Sequence, residues 1–94
     1  VEGTGFMLNN EMDDFSIKPM TPNAFGLVGQ DANAIAPLKR PLSSMTPTLL
    51  IGAERTAVLG TPGGSRIISM VLLGMLGVLD GADAKSIVSA PRIH

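Results

Sequence analysis

Cysteine, tryptophan and tyrosine are absent from these 94 residues, and the one histidine, His94, is the last of them. Without thiols, disulfide frameworks and thiolate metal sites are excluded, and the redox compartment stays open. A lone imidazole at the final position rules against a histidine-based metal centre or a Ser-His-Asp triad inside the chain. Charge is also scarce: 16% of residues are charged and the net charge is −1. The seven Lys and Arg are scattered, so there is no electrostatic footprint for nucleic acid or an anionic membrane surface. The most apolar run, 67–79, falls short of the roughly 20 residues that cross a bilayer and is interrupted by Gly74 and Gly77, so it reads as a core helix. No basic segment followed by an apolar one opens the chain, so no signal peptide is visible. Phosphate loops are missing as well. Ser65 is followed by Arg66 and Ile67 rather than preceded by a Walker lysine, and no G-x-G-x-x-G occurs.

Apolar side chains are what the chain has in quantity. They make up 45% of it, with three Phe among them, and mean hydropathy is positive. The length suits one modest core with a poor surface-to-volume ratio. So little charge on so small a domain implies apolar surface that meets another chain or a further part of the same one. The expectation is a single incomplete domain over 1–94, internal to a longer protein.

Organisation centres on 56–79. A β-branched and apolar run (TAVL) feeds a Pro/Gly turn (TPGGSR) that opens into the apolar helix, giving strand, turn and helix N-terminus. The first N–H groups of such a helix have no intrahelical partner, and the helix dipole adds positive potential there. Gly63 and Gly64 lack Cβ atoms, so an anion or a developing oxyanion can approach the amides closely. Plain turn punctuation accounts for the same residues. Before this unit, 48–51 reads as a strand, 52–55 as a hairpin connection, and 56–59 as its antiparallel partner. After it, residues 80–83 break the helix, 84–89 form a short second one capped by Asp83, and 92–94 begin a further strand. The helix has almost no polar face and needs cover on most sides, with Gly74 and Gly77 marking where a second element packs closely.

The first half is less regular. Residues 1–10 carry turns at Gly3 and Gly5 and a short strand-like run, Phe6, Met7 and Leu8. Glu11, Asp13 and Asp14 then form the most acidic spot in the chain. If the backbone turns helically there, Glu11 and Asp14 project to one side while Met12 and Phe15 anchor the other. A carboxylate pair so fixed suits a cationic amine; a solvated acidic turn, or an N-cap by Asp13 or Asp14, fits as well. Residues 16–40 have three prolines and no sustained period, the mark of a lid or binding loop, with Phe25 alone near the middle. Ser43 and Ser44 enter the next strand. At a turn both hydroxyls can reach one carboxylate, or they can serve as ordinary turn caps. Neither lies in G-x-S-x-G, so a serine nucleophile is not indicated.

Taken together, LNNEMDDFS, KRPLSSMTPTL and GTPGGSRII, in this order and at this spacing, resemble the small subunit of the γ-glutamyltranspeptidases, and the resemblance runs through APRIH at the end. It implies an α+β fold, part of the αββα sandwich of an N-terminal-nucleophile hydrolase, with antiparallel strands and packed helices. It implies that Glu11 and Asp14 receive the α-amino group of a γ-glutamyl moiety and that Ser43 and Ser44 hold its α-carboxylate. The backbone N–H groups of Gly63 and Gly64 would form the oxyanion hole. The loop 19–29 would be the lid, with Phe25 where some bacterial members carry a tyrosine, so a closing hydroxyl bridge would be lacking.

The family's nucleophile is a threonine freed by self-cleavage and activated by its own α-amino group. It would lie before Val1, and Thr4 does not match it. The arginine of the large subunit is likewise not in this chain, which alone is expected to be inactive. The implied reaction is cleavage of γ-glutamyl amides such as glutathione through an acyl-enzyme. Alternatives are poly-γ-glutamate or cephalosporin-type acyl substrates, or a non-catalytic fragment that keeps the pocket. No metal or organic cofactor is implied. Partners would be the large subunit and the remaining small-subunit residues of the same precursor, with no nucleic acid and no membrane insertion. The resemblance suggests a periplasmic or extracellular site.

Overall fold

The computed structural model describes all residues from Val1 to His94. They form two compact units, Val1–Ser43 and Ser44–His94.

The second unit holds the regular elements. β1 (Thr48–Ile51) and β2 (Thr56–Leu59) pair antiparallel, with Thr48 opposite Leu59 and Ile51 opposite Thr56. The four-residue connection closes with Gly52 N–H donating to the Arg55 carbonyl at 2.9 Å. Side chains alternate as the pleat requires: Thr48, Leu50, Ala57 and Leu59 are half-buried, while Leu49, Ile51 and Val58 on the other face are exposed.

β2 runs through the Pro/Gly turn and a single 3-10 turn, Gly64–Arg66, into α1 (Ile67–Leu79). α1 ends as Asp80, Gly81, Ala82 and Asp83 predict. Gly81 takes φ +82°, Ala82 N–H reaches the Gly77 carbonyl and Gly81 N–H the Val78 carbonyl, which is a Schellman termination. The Arg55 guanidinium donates to the Val78 carbonyl at 2.8 Å, placing a cation on the negative end of the helix dipole. α2 (Ala84–Ser89) follows, capped by Asp83, whose Oδ1 accepts from Ser86 N–H at 2.8 Å.

α2 packs where the two helix glycines leave room. A Cβ built on Gly77 would stand 3.0 Å from Ile87 Cγ1, and one on Gly74 would stand 3.5 Å from Leu59 Cδ2 and 3.8 Å from Ile87 Cγ2. Ile67, Val71 and Gly74 are buried on that side. The expectation of cover on most sides is corrected for this chain: Ile68, Leu72, Leu76 and Leu79, spaced to share one stripe, stay exposed because no other element of the second unit lies over them. The expected strand at 92–94 does not form either. Arg92 turns back to the Val88 carbonyl, and His94 Nδ1 lies 2.9 Å from Ser69 Oγ.

In the first unit the expected strand over Phe6, Met7 and Leu8 is absent. All three side chains are exposed, and with no partner strand the backbone is left to local turns such as Thr4 Oγ1 on the Val1 carbonyl. Residues 11–14 form a 3-10 turn, Glu11–Asp14, followed by Phe15 and Ser16, the two buried residues of this unit.

The stretch 16–40 carries little regular structure but is held by asparagine side chains. Asn33 Nδ2 donates to the Asp14 carbonyl at 2.7 Å while its Oδ1 accepts from Leu42 N–H. Asn23 organises a narrow hairpin between Pro22 and Val28, its Oδ1 accepting from both Phe25 and Leu27 N–H. Gly29 passes so close to Ser16 that a Cβ would sit 1.9 Å from Ser16 Oγ.

Candidate functional site

Three residues per turn bring positions i and i+3 into register, so the 3-10 turn sets Glu11 and Asp14 on the same side, as the acidic spacing predicts. Glu11 is exposed and its N–H is held by Asn9 Oδ1. Asp14 is half-buried, and its carboxylate accepts no hydrogen bond from this chain; only its main-chain carbonyl is engaged, by Asn33. Phe15 anchors the turn from below, whereas Met12, expected to help, is 59% exposed. The turn therefore offers two carboxylates with unused acceptor capacity, which is what a cationic amine requires.

Asp13, between them, behaves differently. Its Oδ2 accepts from Ala24 N–H at 2.9 Å and its carbonyl accepts from Asn23 Nδ2 at 3.3 Å. Asn23 in turn closes a tight turn through Gly26 N–H on its own carbonyl, with Ala24 and Phe25 at the two central positions. The Phe25 ring is half exposed at the tip. Asp13, Asn23 and Asn33 were not marked by sequence reasoning as site-forming. Asparagine beside proline and glycine signals a turn, but nothing in the order of residues says which backbone a side chain twenty positions away will satisfy.

Ser43 is exposed and closes the first unit; Ser44 is half-buried and opens the second. Ser44 Oγ donates to the Gly64 carbonyl at 2.9 Å, bringing one of the two serines onto the diglycine turn. Its single proton is thereby spent. To donate to a carboxylate ligand the Ser44 hydroxyl must rotate off Gly64; until then it offers only lone pairs.

Gly63 (φ +141°) and Gly64 (φ +56°) both occupy the positive-φ side that side-chain-bearing residues avoid. Their carbonyls are used, by Arg66 N–H and by Ile67 N–H with Ser44 Oγ. Their N–H groups donate to no atom of this chain. Two successive amides with free donors, at the head of α1, form a cradle for a negative oxygen.

The whole chain, residues 1–94, matches the γ-glutamyltranspeptidase family. The chain belongs to that family. A glutathione hydrolase proenzyme of Escherichia coli is 53% identical over 93 residues, 97% of this chain and 16% of the relative. Among solved structures, a mutant γ-glutamyltranspeptidase of Helicobacter pylori is 56% identical with a TM-score of 0.79, covering 100% of this chain and 52% of that one. The γ-glutamyltranspeptidase of Pseudomonas nitroreducens complexed with L-DON is 51% identical with a TM-score of 0.76, covering 100% and 50%. The chain thus spans about a sixth of the length of the E. coli relative and about half of the chains in the two solved structures. Its two antiparallel strands with packed helices are an α+β part of the N-terminal-nucleophile hydrolase fold of these γ-glutamyltranspeptidases. No helix of the chain is long and apolar enough to cross a membrane.

Proposed function

We propose that this chain supplies substrate-binding and oxyanion-stabilising groups to a γ-glutamyl hydrolase or transferase that acts on glutathione-like amides. The observation that carries this reading is the identity of about half the residues, across nearly the whole chain, to a relative named glutathione hydrolase proenzyme. The local geometry of each motif supports it. Glu11 and Asp14 offer the unused carboxylates that an α-amino group needs, with Asp14 the better fixed of the two. Ser43 and Ser44 take the α-carboxylate. The free amides of Gly63 and Gly64 take the oxygen of the scissile carbonyl as it gains charge.

The nucleophile in this reading is a threonine at a newly formed N-terminus, contributed by residues outside this chain. Its hydroxyl oxygen adds to the γ-carbonyl carbon and its proton passes to its own α-amine. The tetrahedral intermediate then collapses, the C–N bond breaks, and the leaving amine departs with that proton. Water or an amino-acid amine next attacks the resulting ester, releasing glutamate or a new γ-glutamyl amide. The remainder of the same precursor is the partner this requires, and relatives bearing the word proenzyme in their names support such processing.

The test uses the full-length protein and a chromogenic γ-glutamyl anilide. Release of the aniline is expected, and Asp14→Ala should abolish it chiefly through a large rise in KM, because the amine loses a charged partner. Unchanged KM in Asp14→Ala removes the amine contact; no turnover by the unmutated, processed protein removes the activity.

A further inference from the structure

The acidic turn contains a third carboxylate that the reading above leaves without a task. Asp13 lies between Glu11 and Asp14 in sequence, yet its Oδ2 is turned onto Ala24 N–H at 2.9 Å, with Asn10 Nδ2 at the longer distance of 3.4 Å. A second link, Asn23 Nδ2 to the Asp13 carbonyl, runs between the same two places. From there a short relay reaches Phe25. Asn23 Oδ1 holds the N–H groups of Phe25 and Leu27, Asn23 N–H bonds the Leu27 carbonyl, and Gly26 N–H bonds the Asn23 carbonyl.

The tip that carries Phe25 therefore has few other attachments. Ala24, Phe25, Gly26 and Leu27 are all exposed, so burial contributes little to fixing them. What locates the ring relative to the Glu11–Asp14 turn is a hydrogen bond to a charged acceptor, the stronger kind, backed by one neutral bond.

We propose that Asp13 is a positioning residue: its carboxylate clamps the 23–27 turn to the acidic turn and so sets where Phe25 stands relative to that turn. The kinetic consequence rests on the γ-glutamyl reading. A loop released from the clamp closes less often over a bound amino group, which weakens binding while leaving the chemical step intact.

Two measurements on the full-length protein separate the clamp from its consequence. In the first, amide hydrogen exchange is followed at Phe25 and Leu27, without substrate. Asp13→Ala should speed it about tenfold or more, as expected for loss of a charge-assisted bond. Asp13→Asn keeps an acceptor oxygen without the charge and should fall between the unmutated protein and Asp13→Ala. Ala24→Pro removes the donor instead of the acceptor, at the turn position where proline is tolerated. It should match Asp13→Ala, and it decides the question should Asp13→Ala not fold.

In the second measurement, KM for the γ-glutamyl anilide should rise about tenfold in Asp13→Ala and Ala24→Pro with kcat held within about twofold, the pattern of lost binding rather than lost chemistry. Exchange unchanged in both variants overturns the clamp. Faster exchange with KM unchanged, or an Asp13→Asn as impaired as Asp13→Ala, overturns the positioning role. Absence of anilide turnover in the unmutated protein strikes the γ-glutamyl reading alone, and exchange still reads the clamp.

Discussion

Ser44 Oγ donates to the main-chain carbonyl of Gly64 across twenty positions of sequence, at 2.9 Å. The bond ties the residue that opens the second unit to the turn at the head of α1, and Thr46 Oγ1 bonds the Ser44 carbonyl in its turn. A hydroxyl so placed has two effects on the diglycine turn. It holds the Gly64 peptide in one orientation, and it competes with any ligand for the same proton.

Removing that hydroxyl should therefore be felt in chemistry as well as in binding. Ser44→Ala is expected to destabilise the full-length protein by about 1 kcal/mol, the net worth of one ordinary hydrogen bond. It should also lower kcat for the γ-glutamyl anilide while raising KM, because the Gly64 amide loses its support. Ser44→Thr, which keeps the hydroxyl, should recover most of both. Steady-state kinetics with denaturant unfolding reads the outcome; a change in KM alone would limit Ser44 to carboxylate binding.

The two glycines of the turn should not respond alike to alanine. A Cβ on Gly63 would meet only ordinary contacts, 3.7 Å from Arg66 Cβ and Met70 Sδ, so the cost there is backbone strain. With φ at +141° and ψ at 16° Gly63 lies outside the regions open to a side-chain-bearing residue, a strain on the order of 1–3 kcal/mol, whereas Gly64 at +56° lies in the left-handed helical region, which costs about 1–2 kcal/mol. Gly63→Ala should lower the melting temperature more than Gly64→Ala, and both should reduce kcat by moving the amides. Calorimetric scans paired with anilide kinetics test the order.

Within α1 the same substitution has different outcomes one turn apart. Gly74→Ala should stabilise the protein by up to about 1 kcal/mol, because alanine favours the helix and its methyl meets Leu59 and Ile87 at ordinary contact distance. At Gly77 the added methyl stands 3.0 Å from Ile87 Cγ1, so α2 must give way and the propensity gain is cancelled or reversed. Ile87→Ala should restore the gain in a Gly77→Ala background. Thermal unfolding of the single and double variants decides it.

The cap on α2 predicts an acid-range effect. Hydrogen bonds from the Ser86 backbone N–H and side chain hold the Asp83 carboxyl below its ordinary value. A carboxyl whose folded value is depressed contributes stability that is fully present above its unfolded value and is lost as the pH falls through the lower folded one. Stability of the unmutated protein should thus exceed that of Asp83→Ala at neutral pH and approach it in acid below the usual aspartate range. Asp83→Asn keeps an acceptor and should lack the acid-dependent part. Because Asp83 is exposed, the difference should shrink in high salt. Urea unfolding across the acid range measures it.

Much of the second unit was legible from the order of residues. The two strands, their antiparallel pairing, the end of α1 and the capped start of α2 all rest on signals within a few positions: alternation, a four-residue connection, Gly81 after the last helical residue, Asp83 ahead of Ser86. Such signals act through the backbone nearby, so they survive being read one window at a time. The strands expected at 6–8 and 92–94 failed for the converse reason. A strand needs a partner for its backbone groups, and composition cannot say whether the chain brings one.

Sequence by itself determined where helix and strand begin and end in 48–89, and that the acidic turn and the diglycine turn belong to a chain of the γ-glutamyltranspeptidase family. Tertiary structure decided the rest: that Asp13 faces the Phe25 turn while Asp14 stays unengaged, that the Ser44 proton lies on Gly64, and that one stripe of α1 is left uncovered. Hydrogen bonds and contacts between residues far apart in the chain depend on how the backbone returns on itself, and that path is a property of the whole fold rather than of any local run of residues.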